Sequence, residues 1–102
     1  MEVTVNMVGE RRNMEEFNRT VWKYNISQSL LLDIPKHAKA LAVQIQNDEI
    51  CIWFEVDMSE ETERREFVIH ATGDIIDERE RYIATVQDCP WVWHVYEKVR
   101  MI

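Results

Sequence analysis

The chain has 102 residues and a net charge of −7, with 46% hydrophobic and 30% charged residues and only two glycines and two prolines. That is the length of one domain, with an ordinary globular balance that excludes low complexity. No run of about 18 apolar residues offers a membrane span, and Met1-Glu2-Val3-Thr4 lacks the basic and apolar regions of a leader, so a cytoplasmic protein without membrane contact is expected.

Residues 1–19 form an N-terminal extension. Glu2 to Val8 alternates and is expected as an edge strand, and a short helix is expected around Met14-Glu15-Glu16-Phe17. Residues 20–102 read as a single β domain, because alternation at period 2 dominates and no long 3.6-period stretch occurs. Thr20 to Ile26 is the first strand and Leu30 to Ile34 the second, before Pro35-Lys36-His37 turns the chain. Ala38 to Gln46 and Ile50 to Val56 form a hairpin around Asn47-Asp48, two residues that tolerate positive φ. Its register places Ile45 opposite Ile50, Val43 opposite Ile52, Leu41 opposite Phe54, and Trp53 opposite Ala42 on the other face.

Met58 to Arg65 reads as a loop or frayed helical turn, and Glu66 to Thr72 as a central strand. Gly73 marks a bend, and Asp74 to Arg81 is charged enough to hold one helical turn. Tyr82 to Val86 and Trp91 to Val99 make a second hairpin around the four-residue loop Gln87-Asp88-Cys89-Pro90, which pairs Val86 with Trp91 and Ala84 with Trp93. The fold class is therefore mainly β: a small antiparallel barrel or sandwich of six to seven strands with little helix.

Chemistry is sparsely encoded. His37, His70 and His94 give no HxH or HxxxH pair, so no metal site is expected. Cys51 and Cys89 stand too far apart for a CxxC and read as reduced thiols; Asp88 beside Cys89 would raise a thiol pKa rather than lower it. The sequons at Asn18 and Asn25 carry no meaning without secretion. No phosphate-binding glycine loop or hydrolase motif occurs, so neither catalytic residues nor a cofactor are expected. Trp91, Trp93 and Val95 share one face of the last strand, and Val92, His94 and Tyr96 the other. Stacking platforms for single-stranded nucleic acid need flanking basic residues. The near charges here are Asp88 and Glu97, which favours a strand covered on both faces, with Trp91 and Trp93 over Ala84 and around Trp53.

Seven segments carry a resemblance. They are Trp22-Lys23-Tyr24, Ile34-Pro35-Lys36-His37-Ala38-Lys39, Val43-Gln44-Ile45-Gln46-Asn47, Cys51-Ile52-Trp53, Ala71-Thr72-Gly73, Tyr82-Ile83-Ala84-Thr85-Val86 and Val92-Trp93-His94-Val95-Tyr96-Glu97. In this order, over Val21 to Glu97, the chain resembles a small family of uncharacterised domains found largely in phages and prophages. That family often carries glycine where this chain has His37, Asp48 and Ala84. Its Thr-Gly-His-Pro motif reads here Thr72-Gly73-Asp74-Ile75. The resemblance implies a fold unit and a phage context rather than a reaction.

Acidity disfavours contact with a phosphate backbone and favours a basic partner. Joined to the phage context, it gives the expectation of a phage-encoded, non-enzymatic protein-binding module in the bacterial cytoplasm, directed at a host protein such as a restriction or CRISPR nuclease. The expected contact residues are Asp57, Glu60, Glu61, Glu63 and Glu66 with Asp74, Asp77, Glu78 and Glu80. The alternatives are a self-associating assembly protein, dimeric or larger, and a small-ligand or single-strand nucleic-acid binder using the aromatic face.

Overall fold

The computed structural model describes residues 17–99, so the strand expected over residues 2–8 and the short helix around Met14-Glu15-Glu16, apart from Phe17, lie outside the described residues. Seven strands follow: β1 (Arg19–Asn25), β2 (Leu31–Pro35), β3 (Lys39–Gln46), β4 (Glu49–Asp57), β5 (Thr62–Ala71), β6 (Glu80–Asp88) and β7 (Trp91–Lys98). They form two open antiparallel sheets, β1-β4-β3 and β2-β5-β7-β6, stacked as a sandwich rather than closed as a barrel. No helix occurs among the described residues.

Alternation builds the core. From β4, Ile50, Ile52, Phe54 and Val56 point inward, joined by Val43 of β3, Leu32 and Ile34 of β2, Phe67 of β5 and Val95 of β7. Phe54 sits at the centre, edge-on to Tyr24 at 5.7 Å and to Phe67 at 5.9 Å between ring centroids. Such pairs add to the area they bury, because the positive edge of one ring meets the negative face of the other.

The β3–β4 hairpin has the expected register at its tip, with Ile45 opposite Ile50, Val43 opposite Ile52 and Ala42 opposite Trp53. Asn47 and Asp48 take φ of 53° and 64°, the left-handed pair that a two-residue hairpin turn requires. Further down, a β-bulge between Ala40 and Ala42 displaces Leu41 from the ladder, so Ala40 rather than Leu41 faces Phe54, and Leu41 is exposed. His37, with φ 68°, is a third non-glycine left-handed residue. His37 and Asp48 are thus positions where a side chain is sterically disfavoured.

The second hairpin is tighter than expected. β6 continues through Gln87 and Asp88, and only Cys89 and Pro90, joined by a cis peptide, lie at the turn. Asp88 therefore faces Trp91, Val86 faces Trp93 and Ala84 faces Val95. From Ala84 to the turn the register slips by two residues, which preserves the face of each side chain there, but a β-bulge between Tyr82 and Ala84 shifts it by one below, so Tyr82 faces Tyr96 on the outer side. The polar residues Gln87 and Asp88 resemble a loop, but alternation asks nothing apolar of a strand's outward positions.

Two charged stretches differ from expectation. Thr62 to Arg65 belongs to β5, paired with β2 from Pro35↔Thr62 to Leu31↔Glu66, so the β4–β5 turn spans only 58–61. Asp74 to Arg81 holds no helical turn. Asp74 accepts the Ala71 N–H at 2.8 Å and Asp77 accepts the Arg79 N–H at 2.7 Å, and these local bonds replace helical ones.

Arg65 lands on the inner face at the end of the core. Its guanidinium donates to Glu97 in a fork at 2.6 and 2.8 Å and to the Ala38 carbonyl at 2.9 Å, and it lies 5.3 Å from the Phe54 ring centroid. Burial pushes the Glu97 carboxyl up, but Arg65, with Arg81 at 3.2 Å, holds it below the usual carboxylate range on balance. Removing one member leaves the other charged and buried. Glu97→Gln is expected to cost about 3–5 kcal/mol in urea unfolding, and the double replacement Arg65→Met/Glu97→Leu to recover most of it. Asp48→Gly is expected to stabilise by a few tenths to about 1 kcal/mol in the same measurement, as the left-handed turn position loses its steric cost.

Candidate functional site

Of the acidic residues expected at a contact surface, Glu63, Glu66, Asp77 and Glu80 line one cleft, and most of the set have local partners. Asp57 closes a turn on Ser59, accepting its N–H at 2.9 Å and its hydroxyl at 2.6 Å, and the carboxyl is held low by those bonds. Glu60 lies 3.4 Å from His37, Glu61 3.8 Å from Lys36 and Glu66 3.5 Å from Lys98. Asp77 is held at a pKa of about 2 by bonds from the Arg79 side chain and backbone. Glu63, on β5, and Glu78 are exposed. The region bears net negative charge, but most of its carboxylates already have local partners.

Asp74 and Glu80 meet on the outer face of the four-stranded sheet, on either side of His70. The His70 Nε2 lies 2.5 Å from Glu80 and its Nδ1 3.5 Å from Asp74, and the ring stands edge-on to Tyr96 at 5.5 Å. The hydrogen bond to Glu80 is the main reason the imidazole is pushed above its ordinary pKa; desolvation opposes it and the two carboxylate charges add to it. β5 and β7 pair His70 directly with His94. His94 Nε2 lies 2.9 Å from the Thr72 hydroxyl and its Nδ1 3.0 Å from the Thr85 hydroxyl, which in turn meets Tyr82 Oη at 2.8 Å. A neutral imidazole carries one donor and one acceptor, so two hydroxyls satisfy it completely. Both nitrogens of each ring are engaged, and His94 has none left for Cys89. No sequence motif announced this arrangement, since His70 and His94 become neighbours only through strand pairing.

The last strand corrects the expectation of an aromatic row covered on both faces. Trp93 is half-buried against the core, but Trp91 is 59% exposed. The two indoles stack on each other, with centroids 6.1 Å apart and planes at 26°. Trp53 shares neither their face nor their sheet: it lies on the outer side of β4, opposite Ala42. Where β7 begins, the core runs out, so an inward-pointing side chain has a neighbouring indole beside it and solvent beyond.

Beside that pair a groove of about 390 Å³ opens between the two sheets. Ile26 and Ile50 line it from one sheet, Ile69 and Trp93 from the other, and Asp48 and Asp88 stand at its rim. Neither aspartate side chain forms a hydrogen bond or ion pair among the described residues. A larger cleft of about 890 Å³ lies at the other end of the sandwich around Arg65, Arg81 and Glu97. Within it Arg65 and Arg81 share Glu97, Arg79 faces Asp77 and Lys98 faces Glu66, while Arg64 turns to Asp33 outside the cleft.

Residues 17–101 match a family described as a domain of unknown function, DUF7352, and the chain belongs to it. No curated protein and no solved structure matches the chain.

The Glu80–His70 contact makes stability depend on pH. The folded pKa of His70 lies above the unfolded value of about 6.5, so the contribution is complete below that value, while Glu80 stays ionised, and is lost as pH rises through the folded pKa. Thermal midpoints taken upward from pH 6 are expected to fall more steeply for the wild type than for His70→Asn. A histidine NMR titration should place His70 above the ordinary histidine value.

Proposed function

We propose that this member of the DUF7352 family is a non-enzymatic module that binds a basic surface of another protein. The observation that supports the reading best is the half-open tryptophan stack beside two unneutralised carboxylates, in a chain of net charge −7. Large aromatics at a partly desolvated centre, ringed by polar groups, are what binding hot spots are made of. Acidic surroundings speed encounter with a basic partner and repel nucleic acid.

In this reading Asp57, Glu60, Glu61, Glu63, Glu66, Asp74, Asp77, Glu78 and Glu80 form the steering field and rim. Side chains already paired with Lys, Arg or His have less to gain at a buried contact. The finer form of the proposal is a phage-encoded inhibitor of a bacterial defence nuclease acting in the host cytoplasm. It rests on the sequence resemblance to phage domains and on an acidity suited to the basic channel of a nuclease.

A second reading, self-association, draws on the open sheet edges. Trp22 on β1 and Leu31 on β2 are exposed large apolar residues on edge strands, and such edges template pairing. Light scattering of the purified chain separates the two, since an assembly protein forms a stable higher oligomer without a partner.

The test of the first reading is phage plating on strains that carry a defined restriction or CRISPR nuclease. Expression of the chain is expected to restore plating on at least one such strain, and the nuclease to co-purify with it. Unchanged plating on every strain, with no nuclease recovered, would sink the inhibitor proposal.

A further inference from the structure

We infer that the groove beside Trp93 is a receptor for a single cationic side chain, a lysine or arginine presented by an extended basic segment of the protein partner. The inference deepens the reading of the domain as a protein-binding module and rests on it. Three features of the groove converge on this chemistry.

The first is shape. At about 390 Å³ the groove is near the small end of ligand pockets, which run from about 300 to 1,000 Å³. It accommodates one long side chain rather than a helix or a nucleotide chain. Its walls are Ile26, Ile50 and Ile69, suited to the methylene stem that lysine and arginine bury behind a charged head.

The second is the aromatic wall. Trp93 lines the groove, with Trp91 stacked on it and open to solvent. Indole is the best of the aromatic faces for a cation, because its quadrupole presents negative charge to whatever lies over the ring. No described cation occupies that position: the cation–π contacts of the domain are those of Arg65 over Phe54 and Phe67, at the other end of the sandwich.

The third is charge. Asp88 is the cross-strand partner of Trp91, and Asp48 reaches the rim from the β3–β4 turn on the opposite sheet. Two carboxylates from two sheets thus flank one apolar slot, and neither has a partner among the described residues. Everywhere else the acidic side chains named above, apart from Glu63 and Glu78, are ion-paired or closed into turns. A cation entering the groove meets apolar walls for its stem, an indole for its face and two carboxylates for its charge. A phosphate meets repulsion.

The test uses the full chain labelled with 15N and a nine-residue arginine peptide as probe, with the indole N–H signals of the four tryptophans as readout. The peptide is expected to shift Trp91 and Trp93 saturably and to leave Trp22 and Trp53 in place. Raising salt from 50 to 300 mM weakens the binding. Trp91→Ala, whose side chain is mostly exposed, is expected to weaken it about two- to fivefold, the scale of an exposed cation–π contact. The double variant Asp48→Asn/Asp88→Asn is expected to weaken it more, and Glu60→Gln/Glu61→Gln to leave it unchanged. If the peptide binds but the Glu60/Glu61 variant abolishes binding while the Asp48/Asp88 variant does not, the groove assignment is overturned and the acidic-module reading stands. If the peptide moves no indole, or a thymidine oligonucleotide moves Trp91 and Trp93 in its place, the groove assignment fails outright. Restored phage plating would then still support the module.

Discussion

The ion pair between Arg65 and Glu97 is the point on which the sandwich turns. Arg65 stands on β5 and Glu97 on β7, while the guanidinium also reaches the Ala38 carbonyl and the rings of Phe54 and Phe67. One side chain therefore touches both sheets and the β2–β3 turn. A hydrophobic core draws the sheets together without fixing their relative position, because burial is non-directional. A planar fork matched to one carboxylate, one carbonyl and two rings is directional, and it selects one stacking of the sheets. Such specificity has a cost: two charges leave water, and the geometry must be good enough to offset that.

This anchor also gives the molecule two unlike ends. At the Arg65 end the cleft is wide, and most of its charges are paired: Arg65 and Arg81 with Glu97, Arg79 with Asp77 and Lys98 with Glu66. At the Trp93 end no ion pair among the described residues closes the space between the sheets. The apolar floor of Ile26, Ile50 and Ile69 reaches the surface, and Asp48 and Asp88 stand over it without partners among the described residues. A domain of this size has few positions to spare from its core. A stacked tryptophan pair half in solvent, beside two carboxylates without partners among the described residues, is a local inconsistency that the core does not explain.

The strands were legible because inward-facing residues recur every second position, and the β3–β4 turn was legible because Asn47 and Asp48 are residues that accept positive φ. What escaped was whatever depends on partners far apart in sequence. The bulge at Leu41 has no local signature. Thr62 to Arg65 looked like a solvated loop because its charges were counted without their cross-strand neighbours, Asp33 for Arg64 and Glu97 for Arg65. His70 and His94 lie too far apart in sequence to suggest a pair, yet the β5–β7 ladder sets them side by side. The tryptophans were misjudged for a related reason. Alternation correctly gave the face shared by Trp91 and Trp93, but a face is covered only as far as the opposite sheet extends, and sheet extent is not written in any one strand.

Scarcity of basic residues near Trp91 argues against stacking on nucleic acid, but it does not place the strand wholly in the core, because an aromatic surface lacking cations of its own is suited to receive one. Carboxylates beside an indole do not weaken a case for binding; they change the sign of the ligand. The same residues that exclude a phosphate backbone, Asp88 across from Trp91 and Asp48 from the facing sheet, complete a site for a guanidinium or ammonium group. Acidity and exposed tryptophan, separate and conflicting signals along the chain, become one signal once the β3–β4 turn and the β6–β7 hairpin meet at the same end of the sandwich.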